Sequence, residues 1–168
     1  MKQQRFNKAI AAKVIHDKVL LGNPVFVVYT DGSGYWKTQL GGIGGYIQYK
    51  NKEQVLSTKS FRRGYFETTT QRMELRAIIE ALQVILIKNQ KTIIFTDSEY
   101  ALNIISNKSQ PIENLDLVKL TKQELALFSN INIYWITGHS NIEGNDRADK
   151  LADYKQFNHS SRIRDERN

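Results

Sequence analysis

The period of the hydrophobic pattern changes once along this chain, and that change limits what the chain can fold into. Residues 25–30 form an unbroken apolar, β-branched and aromatic run, the mark of a strand buried on both faces. Residues 43–49 and 55–61 read as two further strands joined by the polar turn Lys50-Asn51-Lys52-Glu53. From about residue 70 the spacing becomes helical. Leu75, Ile78, Ile79, Leu82, Ile85 and Leu86 mark one face of a long amphipathic helix. Strand-like runs at 92–96 and 131–136 then alternate with helical stretches at 100–105, at 115–128 and around Ala148, Leu151 and Ala152. Three strands followed by strand–helix alternation predict an α/β domain. Its mixed sheet has an antiparallel meander first and parallel strands after it, flanked by helices.

The chain has 168 residues, enough for one domain with a substantial core. That domain is expected over residues 25–155. Before it, residues 1–24 carry five Lys or Arg against one Asp. Phe6, Ile10 and Val14 recur at spacing four, so residues 1–22 read as a short basic helix, ended by Gly22-Asn23-Pro24. It is either a basic face that docks on the domain and adds phosphate contacts or a solubilising arm. Residues 156–168 read as a polar, frayed tail. The formal charge of +7 favours a polyanionic partner. The absence of Cys excludes disulfides, thiolate catalysis and zinc-thiolate centres. No apolar run approaches the ~20 residues of a membrane span, and none near the N-terminus matches a signal-peptide core. A cytoplasmic monomer that does not engage membranes is expected.

Four acidic residues stand in four separate settings: Asp31 in Y-T-D-G-S-G, Glu74 in T-T-T-Q-R-M-E-L, Asp97 in F-T-D-S-E-Y and Asp149 in G-H-S-N-I-E-G-N-D-R-A-D. Asp31 and Asp97 follow buried strands, so both fall at carboxyl ends of parallel strands, where open α/β sheets carry their sites. Bringing carboxylates together makes sense when cations sit between them. Mg²⁺ takes oxygen ligands and usually binds substrate phosphates as well. Two such ions clamp the attacking and leaving oxygens of a phosphoryl displacement. The constellation therefore predicts a metal-dependent nuclease. Singly, each acid has a plainer reading. Asp31 would cap a turn over Asp31-Gly32-Ser33-Gly34, and Glu74 would favour a helix N-terminus. Asp97 would cap the next helix, a task Ser98 can take over. Asp149 would pair with Arg147 or Lys150.

Taken in order, T-D-G-S-G, R-M-E-L, T-D-S-x-Y and G-H-x(4)-G-N-x(2)-A-D resemble type 1 ribonuclease H over about residues 25–154. The resemblance implies the ribonuclease H-like fold, a five-stranded mixed sheet with three antiparallel and then parallel strands, flanked by helices. It implies endonucleolytic hydrolysis of the RNA strand of RNA–DNA hybrids with two Mg²⁺ ions, or Mn²⁺, leaving 5′-phosphate and 3′-hydroxyl ends. Asp31, Glu74, Asp97 and Asp149 would be the metal ligands. His139 would help activate water or release product, a general acid–base role, though it also reads as an ordinary loop histidine. Glu143 and Asp146 read as solvated loop charges.

Substrate contacts are expected from Gly32, Ser33 and Gly34, whose backbone would read a ribose 2′-hydroxyl. Thr69 matches the family's phosphate-gripping threonine. Thr70, Gln71 and Glu99 stand where Asn, Asn and Gln are usual, facing the RNA minor groove, and an ionised Glu99 can only accept hydrogen bonds. Asn145 is either a substrate contact or the cap of the last helix. Only thirteen residues separate Tyr100 from Asn114, so the family's basic protrusion is missing. Two rival readings remain, a related-fold DNA nuclease or recombinase and an inactive hybrid-binding module.

Overall fold

In chain order the strands are β1 (Gln3–Lys8), β2 (Val25–Tyr35), β3 (Leu40–Lys50), β4 (Leu56–Phe66), β5 (Thr92–Thr96), β6 (Asn130–Trp135) and β7 (Ile163–Arg164). The helices are α1 (Thr70–Val84), α2 (Glu99–Ile105), α3 (Leu115–Ala126) and α4 (Glu143–Ala152). The computed structural model describes residues 24–138 and 142–167 together with the backbone of residues 3–8. All seven strands join one sheet in the order β1-β6-β5-β2-β3-β4-β7. The pairs β2–β3 and β3–β4 are antiparallel, while β2–β5, β5–β6, β1–β6 and β4–β7 are parallel. The five strands β2–β6 are those expected, and one strand is added at each edge.

The alternation of β2 explains its unbroken apolar run. Val28 points into the core beneath α1, with Leu75, Ile78, Leu82, Ile94 and Ile133. Val27 and Tyr29 point to the opposite face, with Ile93, Phe95 and Ala148 of α4. Both faces are therefore covered, and the strand has no solvent side. The stripe read on α1 is buried at Leu75, Ile78, Ile79, Leu82 and Ile85. The helix stops at Val84, so Leu86 leaves the stripe and is exposed.

Three local expectations are corrected. The chain does not turn at residues 31–34. β2 runs on to Tyr35, with Gly32, Ser33 and Gly34 paired to Ile43, Gly42 and Gly41, and the reversal comes at residues 36–39. No described glycine has a positive φ, so these glycines supply space, not turn geometry. Residues 3–8 are a strand instead of a helix. The open edge of β6 offers a ladder of hydrogen bonds, and a short isolated helix has little stability to set against it. Ile10, Val14 and the remainder of the basic N-terminal segment lie outside the described residues.

The tail is not frayed. After α4 it makes two short 3₁₀ turns and returns as β7 beside β4. Asp165, its side chain wholly buried, accepts hydrogen bonds from Thr68, Arg72 and Arg76. Arg72, itself 2% exposed, also makes a two-pronged pair with Asp116 at 2.9 and 2.8 Å. This network ties the tail and the start of α3 to the first turns of α1. Burial works to raise the Asp165 carboxyl, but the hydrogen bonds from Arg72 and Thr68 and the Arg76 guanidinium hold it below the usual range.

Candidate active site

The parallel pairing of β2 with β5 ends at Thr30 opposite Thr96. β5 stops there, while β2 continues with β3 as its partner. The result is a notch on one edge of β2, and Asp31 and Asp97 are the next residue on each side of it. Asp31 is buried and Asp97 half-buried. Ser98 caps α2 by accepting from the Ala101 amide at 3.1 Å, which leaves Asp97 out of the capping. The main-chain carbonyl of Asp97 accepts from the Trp135 indole at 2.9 Å, and the Ile136 amide donates to Thr96 at 2.9 Å. β6 thus fixes the turn that carries Asp97.

Glu74 enters from α1, and Gly32 is the reason it can. A Cβ at Gly32 would collide with the Met73–Glu74 peptide, so the helix lies directly against the strand. Residues two apart on a helix face different sides. Arg72 therefore anchors α1 through Asp116 and Asp165 while Glu74 is presented to the notch. Ligand oxygens of Asp31, Glu74 and Asp97 all lie within 4.8 Å of one another. One oxygen of Glu74, Oε2, is buried with no hydrogen-bond partner. Buried polar atoms are normally satisfied.

The electrostatics record the crowding. Burial, and after it the Asp97 and Asp149 carboxylates, push the Asp31 carboxyl up from 3.8 to about 7, against the pull of the Gly32 amide that donates to it at 2.9 Å. Burial and then Asp31 and Asp97 raise Glu74 well above the usual carboxylate range. Such a cluster holds protons or cations in place of three bare charges. Three carboxylates with hard oxygen donors, one Glu74 oxygen among them buried and unsatisfied, fit a hard divalent cation.

Asp149 comes from α4 with an exposed side chain; it is not one of the three acids whose oxygens lie within 4.8 Å of one another, but it is near enough to raise the Asp31 carboxyl. The plainer partner Arg147 is engaged instead with Glu143 at 2.7 Å, one helical turn away. His139 lies outside the described residues. Gly138, just before it, passes Asp97 so closely that a Cβ there would stand 3.1 Å from Oδ2.

The expected substrate contacts divide. Thr69, Thr70, Gln71 and Glu99 are exposed at the N-terminal ends of α1 and α2. Thr69 caps α1, accepting from the Arg72 amide at 3.3 Å, and the Thr70 hydroxyl donates to the Gly34 carbonyl at 3.3 Å. Ser33 is engaged with the end of α4. Asn145 does not cap α4. It is buried inside the helix, and Ile142 holds the cap position. Sequence reasoning missed the supports: Trp135 behind Asp97, Gly32 as the seat of α1, and the Arg72–Asp116–Asp165 network. Of these only the Gly next to Asp31 carried a local signal.

Comparison with known proteins gives the same direction. The family model described as RNase H matches residues 23–156. Ribonuclease HI of Haemophilus influenzae is 35% identical over 139 residues, covering 74% of this chain and 85% of that protein. Ribonuclease H of Actinobacillus succinogenes is 36% identical over 143 residues with the same coverage. A solved type 1 ribonuclease H with the type 2 active-site motif shares the fold at a TM-score of 0.66 and 24% identity, covering 78% of this chain and 71% of its own.

Proposed function

The chain belongs to the ribonuclease H family, and from that premise we propose how its own residues carry out the reaction. It is a metal-dependent endoribonuclease acting on RNA–DNA hybrids. The observation that carries the assignment to this site is the meeting of Asp31, Glu74 and Asp97 in one notch, with a buried Glu74 oxygen that has no hydrogen-bond partner.

In the proposed mechanism Asp31, Glu74, Asp97 and Asp149 would hold two divalent cations, Mg²⁺ or in its place Mn²⁺. Such ions, when bound, supply charge stabilisation to the attacking and leaving oxygens of an in-line phosphoryl displacement. The rest falls to the chain. Asp31 meets Glu74 and Asp97 and feels the Asp149 charge, so it organises the cluster. Glu74 closes the side toward α1, and Asp149 the side toward α4. His139 moves a proton during water activation or product release. Thr69 and the start of α1 grip a backbone phosphate. Gln71 and Glu99 face the minor groove, where the 2′-hydroxyl separates RNA from DNA. The products are 5′-phosphate and 3′-hydroxyl ends.

Cleavage of end-labelled RNA–DNA hybrid, RNA duplex and DNA duplex, each with Mg²⁺ or Mn²⁺, tests this reading. The hybrid alone is expected to be cut, in its RNA strand. Equal cutting of the DNA duplex would favour a DNA nuclease, and no cutting with either ion would leave a hybrid-binding module.

A further inference from the structure

Ser33 follows Asp31 by two residues on β2, so both side chains leave the strand on the face toward α4. The Ser33 hydroxyl donates to the carbonyl of Ala152, the last residue of α4, at 2.5 Å. It accepts from the amide of Tyr154 at 3.0 Å. One hydroxyl thus serves both sides of the helix end, where carbonyls lack partners of their own. Asp153, at the cap position, turns the other way. Its carboxylate accepts from Lys155 and Gln156, further along the chain.

The contacts that seat α4 have different directions. A Cβ at Gly44 or Gly42 would run into the carbonyls of Ala148 and Ala152. These glycines set how close the helix comes to the sheet. The Tyr29 ring lies against Gly144 near the start of α4 and Tyr46 packs with Ala148, apolar contacts with little directional preference, while beside Gly42 and Gly44 the sheet presents bare backbone to the end of the helix. The Ser33 hydrogen bonds resist sliding along the helix axis, because they join one strand position to one helix position. Asp149 lies three residues before Ala152, roughly 4.5 Å along the same rigid helix. Its carboxylate is near enough to raise the Asp31 carboxyl, and it travels with the helix.

We propose that Ser33 is a positioning residue for Asp149: its hydroxyl fixes the axial register of α4 and so holds the Asp149 carboxylate at Asp31. This assigns the side chain of the serine of T-D-G-S-G to the architecture of the metal site. The proposal rests on the reading of Asp149 as the fourth carboxylate of the site.

The test compares Ser33→Ala, Asp149→Asn and the double variant with the native protein. Three quantities are read: kcat and KM on a hybrid, Mn²⁺ affinity by calorimetry without nucleic acid, and melting temperature. Partners that orient a metal ligand typically matter about 10–100-fold in metal affinity or activity. Ser33→Ala is expected to lower kcat and Mn²⁺ affinity on that scale while KM stays near native. In the Asp149→Asn background the same substitution is expected to add no further loss in either. A loss of kcat equally large in both backgrounds would overturn the proposal. So would a raised KM with native kcat, the sign of direct substrate contact, or a lowered melting temperature with native Mn²⁺ affinity. Ser33→Cys keeps an atom at the γ position, a bulkier one that donates only weakly, and it covers an Ala variant that does not fold. A folded Cys variant with native kcat and native Mn²⁺ affinity also overturns the proposal. Native kcat in Asp149→Asn itself would instead bring down the parent reading of Asp149.

Discussion

Asp31 and Asp97 occupy the same register on adjacent parallel strands, each one residue beyond the final paired threonines, Thr30 and Thr96. The end of the β2–β5 pairing therefore delivers two carboxylates to one point, Asp31 from mid-strand and Asp97 from the turn after β5, and α1 adds Glu74 across the Gly32 gap. Asp31→Asn, Glu74→Gln and Asp97→Asn are each expected to lower hybrid cleavage by at least about 10²–10³-fold, the scale for losing one group of a preorganised electrostatic site. Without metal, each substitution is expected to raise the melting temperature, since repulsion is relieved. Asp149→Asn is expected to be the mildest, because its side chain is exposed and water can replace it in part. Near-native cleavage by any of the first three would remove that residue from the site.

The same crowding sets a pH dependence. The Asp31 carboxyl is raised to about 7 in the fold from 3.8, and Glu74 is raised as well. Folding therefore favours their neutral forms. Their contribution is full below about pH 3.8 and is lost as pH climbs toward 7. Asp165 and Asp116 are lowered by their arginine partners, so their contribution is lost in the opposite direction, as acid is added. In EDTA the melting temperature is expected to fall as pH rises from about 4 to 7 and to recover with Mg²⁺, which binds the ionised cluster. A melting temperature that climbs steadily over that range in EDTA would contradict the assignment.

The sheet and the three acids that it brings together, Asp31, Glu74 and Asp97, are legible in the sequence because their signals are local. Strand runs end at Asp31 and Asp97, and Glu74 lies on a helical pattern. The supports were not readable for the opposite reason. Asp165 meets Arg72 across 93 residues, and its neighbours Arg164, Glu166 and Arg167 look like a solvated tail. Trp135 reads as one more aromatic in a strand until the fold places its indole on the Asp97 carbonyl. Gly32 was misread in kind. A Gly beside an Asp signals a turn, whereas here it marks a strand pressed against a helix.

The Asp165 network yields a stability prediction. Removing one partner of a buried ion pair typically costs about 3–5 kcal/mol, since the other charge is left uncompensated. Asp165→Ala would strand Arg72 and Arg76 and release β7, and a loss on that scale is expected in urea unfolding. Arg72 keeps Asp116, which places the loss toward the lower end. A change as small as that of an exposed pair, about 1 kcal/mol or less, would mean that the tail contributes little to the fold.

Gly32→Ala tests whether close packing or backbone freedom explains the glycine. The added methyl would press on the Met73–Glu74 peptide and push α1 from β2. Overpacking of this kind typically costs about 1–3 kcal/mol. Activity is expected to fall far more than stability, because Glu74 moves with the peptide. A variant with native kcat would show that α1 can yield without displacing its carboxylate.

The edge strand β1 gives the last prediction. It runs parallel to β6 with Lys8 opposite Trp135, so its C-terminal end lies at the same end of the sheet as the Asp97 turn. A chain lacking the basic protrusion would gain phosphate contacts from a basic segment ending there. Each such contact contributes roughly −0.7 to −0.9 to the log–log salt slope of hybrid affinity. Deletion of residues 1–8 is expected to raise KM, to flatten the salt dependence and to leave kcat at saturating hybrid unchanged, as no carboxylate of the site is lost. It is also expected to lower the melting temperature, because the outer edge of β6 loses its partner. Unchanged affinity at low and high salt, with only the melting temperature reduced, would restrict β1 to covering the sheet edge. The phosphate contacts would then have to come from elsewhere on the basic surface, with the exposed Arg62 and Arg63 of β4 the first to substitute.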